Sequence, residues 1–501
     1  MKRRSLLLTI CAVALSSRKT LGGLAKRLIR VPLKEAHKGT LEVDTRLLDS
    51  YGGPPENQRQ FYFAAREHFA RNPDATFSDS AVLEAAAANQ IHLMGGPLLG
   101  DLRSDGVRIW LRPATDEPLW IHVNDQPIQI TGIVAGKDTR VELNDLAPET
   151  EYTYQIRSKD KVLASGQFRT APKQDSLSDF RITFGSCFHK IGLHNPNLFE
   201  QILARKPNAM MLLGDLAVDD RNNEVNMHRA DYQLRDVSAP WSHFVANMPV
   251  YSSWDDHDYF DNDLSGIPKK YNADDRDAVR QVWHENWNNP EPDDGRTNDA
   301  RKGIYFNTRI GPAEIVMLDT RSCRDRNRRG KYGAYLGEEQ LEWLKATLKA
   351  STAPFKIISS GTMWSDYVSN AKDTWGSWDT EAREELFSFI ESEGITGVLL
   401  VSGDRHGARG FKIPRPSGFT FYEFEPATLG GVSGPAGLLK NCPEQMFGYS
   451  GTDEKGNDFI AFGEFTFEMK DVPQVTFRLI RETGEQLEEH KLTLEQLTPH
   501  S

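Results

Sequence analysis

Four short segments of this chain each end an apolar run in side chains able to bind a metal ion. Arg181-Ile182-Thr183-Phe184-Gly185 leads into Ser186-Cys187, and Met210-Met211-Leu212-Leu213 leads into Gly214-Asp215. Val250-Tyr251-Ser252-Ser253-Trp254 leads into Asp255-Asp256-His257-Asp258, and Val398-Leu399-Leu400-Val401-Ser402 into Gly403-Asp404-Arg405-His406. Taken singly these are weak signals, since a Gly-Asp pair is a common turn and a cysteine after an apolar strand is usually core. Four in order within one region are hard to explain by packing, because buried charges are costly without a metal or a partner. A carboxylate at the end of a central strand can bridge two cations, and neighbouring strands can complete each half of the site. Such pairs sit ~3.5–4 Å apart and activate water for in-line attack at phosphorus.

The elements that must position these groups are legible from periodicity. Beyond residue 175, strand-like runs at 180–187, 209–214, 250–254, 315–319, 357–362 and 398–403 alternate with amphipathic helices. Leu198, Ile202 and Leu203 mark one helix, Leu341, Leu344 and Leu348 a second, and Leu386, Phe387 and Ile390 a third. This pattern predicts an α/β layered domain with ligands at the C-terminal ends of its strands. A β-rich stretch at 462–469 and 474–479 closes the domain, set at 175–480, and 481–501 is read as a C-terminal extension. Between 93 and 172 apolar and polar residues alternate at period 2, as in Val107-Arg108-Ile109-Trp110-Leu111. With the turn Leu146-Ala147-Pro148-Glu149-Thr150 ahead of Tyr152 and Tyr154, this predicts an Ig/fibronectin-III-like β-sandwich of structural role. Residues 31–92 read as a helical preamble that carries no chemistry.

Composition excludes several classes. Lys+Arg is 60 against 71 Asp+Glu, a net charge of −11, which argues against nucleic-acid binding. Hydrophobic residues at 39% and charged residues at 26% suit a globular chain rather than a disordered one. No apolar run reaches the ~18–20 residues of a transmembrane helix. Four cysteines in 501 residues exclude a disulfide-rich scaffold. Residues 1–30 open with Met1-Lys2-Arg3-Arg4 and an apolar run at 5–15, the pattern of an export signal of twin-arginine type. The expected location is therefore periplasmic or extracellular, where Cys323 and Cys442 could pair.

The combination resembles the alkaline phosphatase D (PhoD-type) family of calcineurin-like metallophosphoesterases over roughly residues 93–480. The matching segments are Phe184-Gly185-Ser186-Cys187, Gly214-Asp215, Trp254-Asp255-Asp256-His257-Asp258-Tyr259, Leu318-Asp319-Thr320-Arg321 and Gly403-Asp404-Arg405-His406. Lys372-Asp373-Thr374-Trp375-Gly376 is similar to the family's late Asp-x-Trp segment, and Cys187 replaces the Asp-x-His that opens most related sites. The resemblance implies an α/β/β/α sandwich that hydrolyses phosphate monoesters, diesters or both with a two-metal-activated hydroxide. Iron, calcium or both are the implied metals, with manganese, magnesium and zinc open. It implies Cys187 as a thiolate ligand, Asp215 as the bridging carboxylate, and Asp256, Asp404 and His406 as further ligands. His257 would contact the phosphate and protonate the leaving oxygen, with Asp255 orienting it, and Arg321 and Arg405 would clamp the phosphate. One departure stands out: the family's tyrosine ligand is replaced by Val218 in Gly214-Asp215-Leu216-Ala217-Val218, leaving Asp219 or Asp220 to substitute. The competing reading, resting on Val218 alone, is an exported non-catalytic ligand-binding protein with a degenerate phosphatase core.

Overall fold

A computed structural model describes residues 31–500 apart from 32, 51–52, 292–301, 369–372, 427, 433 and 453–458. The expected export signal lies outside the described residues. Two mixed sheets form the centre of the molecule. The first runs in the order Val250–Ser253, Ala209–Leu213, Phe180–Gly185, Ala461–Glu468, Gln474–Arg481 and Gln486–Thr493. Its first three strands are parallel and the others antiparallel. The second runs Phe306–Ile310, Ala313–Met317, Phe355–Ser359, Val398–Val401, Thr420–Pro426, Ala408–Pro414 and Gln445–Tyr449.

The sheets meet face to face through aromatic rings: Phe424 stacks on Phe477 at 4.4 Å, and Phe355 meets Phe467 at 5.1 Å. Helices Pro196–Ala204, Val225–Asp236, Ala239–Val245 and Ala273–Asn286 cover the outer side of the first sheet. Glu338–Ala350 and Trp375–Ser392 cover the second. The central strands are buried on both faces, which is why they read as continuous apolar runs. Along Ala209–Leu213, Met210 and Leu212 face the helices while Met211 and Leu213 face the other sheet.

Several strands stop earlier than their apolar runs suggest. The run at 180–187 is a strand only to Gly185, because Ser186 and Cys187 leave the ladder and Cys187 takes a φ of 60°. The expected C-terminal extension belongs to the sheet, since Gln486–Thr493 pairs with Gln474–Arg481. Cys323 and Cys442 are both free, so the pairing considered for them does not form. No helix among the described residues is long and apolar enough to cross a membrane.

Residues 93–169 form two antiparallel sheets, Leu93–Gly100/Val107–Pro113/Thr139–Leu143 and Gln126–Ile130/Leu119–Val123/Glu151–Ser158/Lys161–Arg169. They brace the site domain: Trp110 Nε1 donates to Glu285 O at 3.1 Å, Arg112 to Asn286 at 3.0 Å, and Tyr154 OH to Ala246 O at 2.9 Å. The helical preamble is tied in by buried ions. Lys190 lies 3.1 Å from Asp231 and 3.8 Å from Asp44, which pair in turn with Arg221 and Arg66. Both arginines also donate to the Gly39 carbonyl, at 2.8 Å from Arg66 and 3.1 Å from Arg221.

Two buried histidines away from the strand ends set a pH dependence. Burial pushes His194 and His228 each down to about 4, so both stay neutral in the fold and charge when it opens. The unfolded chain binds the extra protons from about pH 6.5 downward, so stability is full above that value and falls toward pH 4. The slope is at most ~1.4 kcal/mol per pH unit for each histidine. Urea unfolding at pH 7.5 and 5 measures it, and His194→Gln/His228→Gln is expected to flatten the dependence.

Candidate metal centre

Each strand that carries a candidate ligand ends in a turn held by its neighbours. Cys187 N donates to Gly214 O at 2.9 Å, and His189 N donates to Asp215 O at 3.0 Å, so the first two strand ends align residue against residue. Thr428 Oγ1 and Gly430 N both donate to the Cys187 carbonyl from the far side. Asp258 fastens the third end to the second, accepting from Leu216 N at 2.9 Å and from Asp255 N at 3.4 Å. Gly214, at φ 111°, has no room for a Cβ, which would meet the Asp255 backbone nitrogen at 2.7 Å. Cys187, His189, Asp215, Asp220, Asp404 and His406 all adopt left-handed backbone, with φ between 46° and 74°. For residues other than glycine this conformation costs about 1–3 kcal/mol each and concentrates where function demands it.

The result is a set of overlapping donor groups, each with its ligand atoms within 4.8 Å of one another. Cys187, His189, Asp215 and His406 form one, and Asp215, Asp255, Asp256 and Asp404 another, so Asp215 belongs to both. The donors fit cations. Asp215 Oδ1, Asp256 Oδ1 and both Asp219 oxygens are buried with no hydrogen-bond partner, a costly arrangement unless an ion completes it. The electrostatics agree. Burial, with Asp215 adding to it, pushes the Cys187 thiol well up, and burial raises Asp255 and Asp404 to about 7. A bound cation reverses each of those shifts. The thiolate–imidazole group suits a transition metal, and the all-carboxylate group a harder ion such as calcium, magnesium or manganese.

Comparison with known proteins fits this geometry. The PhoD-like phosphatase family model matches residues 197–435. Alkaline phosphatase D of Bacillus subtilis (strain 168) is 24% identical over 383 residues, which span 62% of this chain and 64% of that protein, under two thirds of its length. The likeness to the PhoD-like phosphatases thus spans the segment that carries Asp215, Asp256 and Asp404. A solved structure of PhoD superposes with a TM-score of 0.62 at 20% identity, covering 80% of this chain and 88% of that one. A purple acid phosphatase from yellow lupin (Lupinus luteus) seeds gives 0.55 at 12% identity, covering 79% and 74%, a likeness of fold. The family match begins at residue 197, downstream of Cys187.

The structure places three of the expected site residues differently from the expectation. Asp255 does not orient His257, because both its carboxylate oxygens accept from Arg321 Nε and Nη2. Arg321 is not a phosphate clamp: it is wholly buried, and its Nη1 reaches Asp373 at 2.9 Å. The partner of His257 is Asp220, whose Oδ1 lies 2.6 Å from Nδ1. Asp220 Oδ1 also accepts from Asn262 N at 3.1 Å, and its Oδ2 lies 3.3 Å from His37 Nδ1. Burial works against charge on His257, but Asp256, Asp215, Asp220 and Asp219 together hold its pKa well above the usual value. Arg405 is the arginine with solvent access; its Nη1 lies 3.3 Å from Asp404, and its Nε has no hydrogen-bond partner. Val218 is wholly buried in the helix-side core.

Two site histidines are additions to the expected set. His189 lies between Asp215 and His406, with Nε2 3.7 Å from Asp215 Oδ2 and 3.0 Å from His406 Nε2. The spacing Cys187-Phe188-His189 was its signal, since replacing the first residue of an Asp-x-His leaves the histidine in place. His37 comes from the preamble expected to be chemically inert, and its ring centroid lies 4.3 Å from that of His257.

Proposed function

We propose that this protein is a metal-dependent phosphoric ester hydrolase acting on monoesters, diesters or both. The observation that carries this reading is Asp215, shared by two buried donor groups at the ends of adjacent strands. Cys187, His189, Asp215 and His406 would hold one cation, and Asp215, Asp256 and Asp404 a second, with Asp255 behind them on Arg321. Bound there, the cations supply Lewis acidity that polarises the phosphoryl group and acidifies water for in-line attack. His257, fixed through Nδ1 by Asp220, presents Nε2 to the leaving oxygen and gives it a proton as the P–O bond breaks. Arg405 lends two parallel N–H donors to the phosphoryl oxygens. The degenerate-core alternative loses support, because Val218 is the one ligand-slot substitution and the buried donors around it are retained.

Protein purified without chelator is expected to hold at least two equivalents of metal by elemental analysis. Chelation should abolish turnover of p-nitrophenyl phosphate and of its bis ester, and metal should restore it. A metal-free preparation that stays active overturns the reading. The ratio of rates on the two substrates sorts monoesterase from diesterase activity. Asp220→Asn is expected to lower kcat about 10²-fold with little change in KM, because it loosens the proton donor and leaves the cation donors intact.

Two further assignments belong to the same reading. Residues 93–172 are an Ig/fibronectin-III-like sandwich, supported by the three-plus-four strand arrangement and by Ala147 N donating to Tyr152 OH at 2.9 Å. The protein is exported, supported by the basic and apolar pattern of residues 1–15.

A further inference from the structure

We propose that His37, His189 and Asp219 form a third cation site of zinc type, beside the two groups joined by Asp215, with the N-terminal arm supplying one ligand. His37 Nε2 lies 3.5 Å from Asp219 Oδ1, and His189 Nδ1 lies 3.8 Å from the same oxygen. These separations are long for N–H···O hydrogen bonds, which cluster near ~2.9 Å. They are close to the ~3.3–3.4 Å between neighbouring donors around a tetrahedral ion with bonds of ~2.0–2.1 Å. Asp219 is wholly buried, and neither of its oxygens has a hydrogen-bond partner. His37 Nε2 and His189 Nδ1 are likewise buried without one. Four such atoms facing one another are the arrangement a single ion completes. Two imidazoles and one carboxylate select a transition dication over calcium or magnesium.

His257 also lies within reach, with Nδ1 3.5 Å from Asp219 Oδ1, but that nitrogen is engaged by Asp220 at 2.6 Å and keeps its role there. His189 faces both ions, with Nε2 toward Asp215 and Nδ1 toward Asp219. The arm is built to bring His37 in. Val31 and Ala36 pack in the core with Cys187, and the Gly39 carbonyl is held by Arg66 and Arg221. Gly39 has a φ of 52°, and a Cβ there would meet the Arg221 guanidinium at 2.2 Å, so the chain turns at that point because the residue is glycine.

The proposal shares His189 with the proposed phosphoesterase centre, and the test separates the two. The full chain is dialysed against zinc chloride, freed of loose metal by gel filtration and analysed for zinc per chain. The natural sequence is expected to hold one zinc equivalent more than His37→Ala, with unchanged circular dichroism, since His37 is 20% exposed and its loss leaves the core intact. Asp219→Asn is expected to match His37→Ala. A natural protein that holds zinc but no more of it than either variant overturns the third site and leaves the phosphoesterase reading standing. A natural protein that retains no metal of any kind overturns both.

Discussion

Asp215→Asn is expected to lower kcat/KM on phosphate esters by at least ~10³-fold, or ~4 kcal/mol of transition-state stabilisation, while the fold survives. The carboxylate is 1% exposed and belongs to both donor groups that share its strand end, so one substitution weakens both cations. Asparagine keeps the shape and removes the charge. Burial raises the Asp215 pKa well above the carboxylate range, with Asp256, Asp255 and Asp258 adding to the rise. In metal-free protein the neutral side chain therefore relieves like-charge repulsion, and thermal stability should hold or rise as activity is lost. That opposite movement is the signature of a functional site built at the expense of stability. Elemental analysis, a thermal melt and p-nitrophenyl phosphate kinetics on one preparation check it. Near-normal turnover by fully loaded Asp215→Asn would show that the bridging role is misplaced.

Arg321→Ala is expected to destabilise the protein by about 3–5 kcal/mol, the cost of stripping the counter-charge from buried acids. The guanidinium reaches three carboxylates: Asp255 through two donors, Asp373 at 2.9 Å and Asp256 at 3.5 Å. Arg324 supports the same Asp373 at 2.8 Å, and Trp378 Nε1 donates to it at 3.0 Å. Arg321→Lys keeps one charge but loses the planar fork, and should recover only part of the stability. Denaturant unfolding measures both variants. The substrate-clamp role predicts the reverse, a large rise in KM with normal stability, so the two readings separate cleanly.

What the sequence made legible, and what it hid, follows from the range of each interaction. Cys187, Asp215, Asp256 and Asp404 were visible because each lies within three residues of the end of an apolar strand, and a strand fixes where its end points. The helices were visible because Leu341, Leu344 and Leu348 repeat at helical spacing on one buried face. Pairing among the charges was not visible. Nothing in local spacing says that Asp255 turns to Arg321, 66 residues on, or that His257 turns to Asp220, 37 residues back. His37 was hidden more deeply, as a single histidine ahead of a helix, brought to the site by buried ion pairs remote in sequence. The strand Gln486–Thr493 carries little apolar signal because it is a sheet edge, where charged residues replace the apolar alternation.

The position of Phe180–Gly185 in its sheet carries a consequence for timing. One neighbour, Ala209–Leu213, is synthesised soon after it, but the other, Ala461–Glu468, lies almost at the end of the chain. Closing a pairing of that span is slow, and a half-built sheet exposes an unpaired edge meanwhile. Cys187 is in the same situation, since the Thr428 contact that pins its carbonyl also arrives late. On the ribosome the thiol-bearing turn must therefore wait, soft and open, for most of translation. That turn reaches its final geometry only once the strand Ala461–Glu468 is there to pair with Phe180–Gly185.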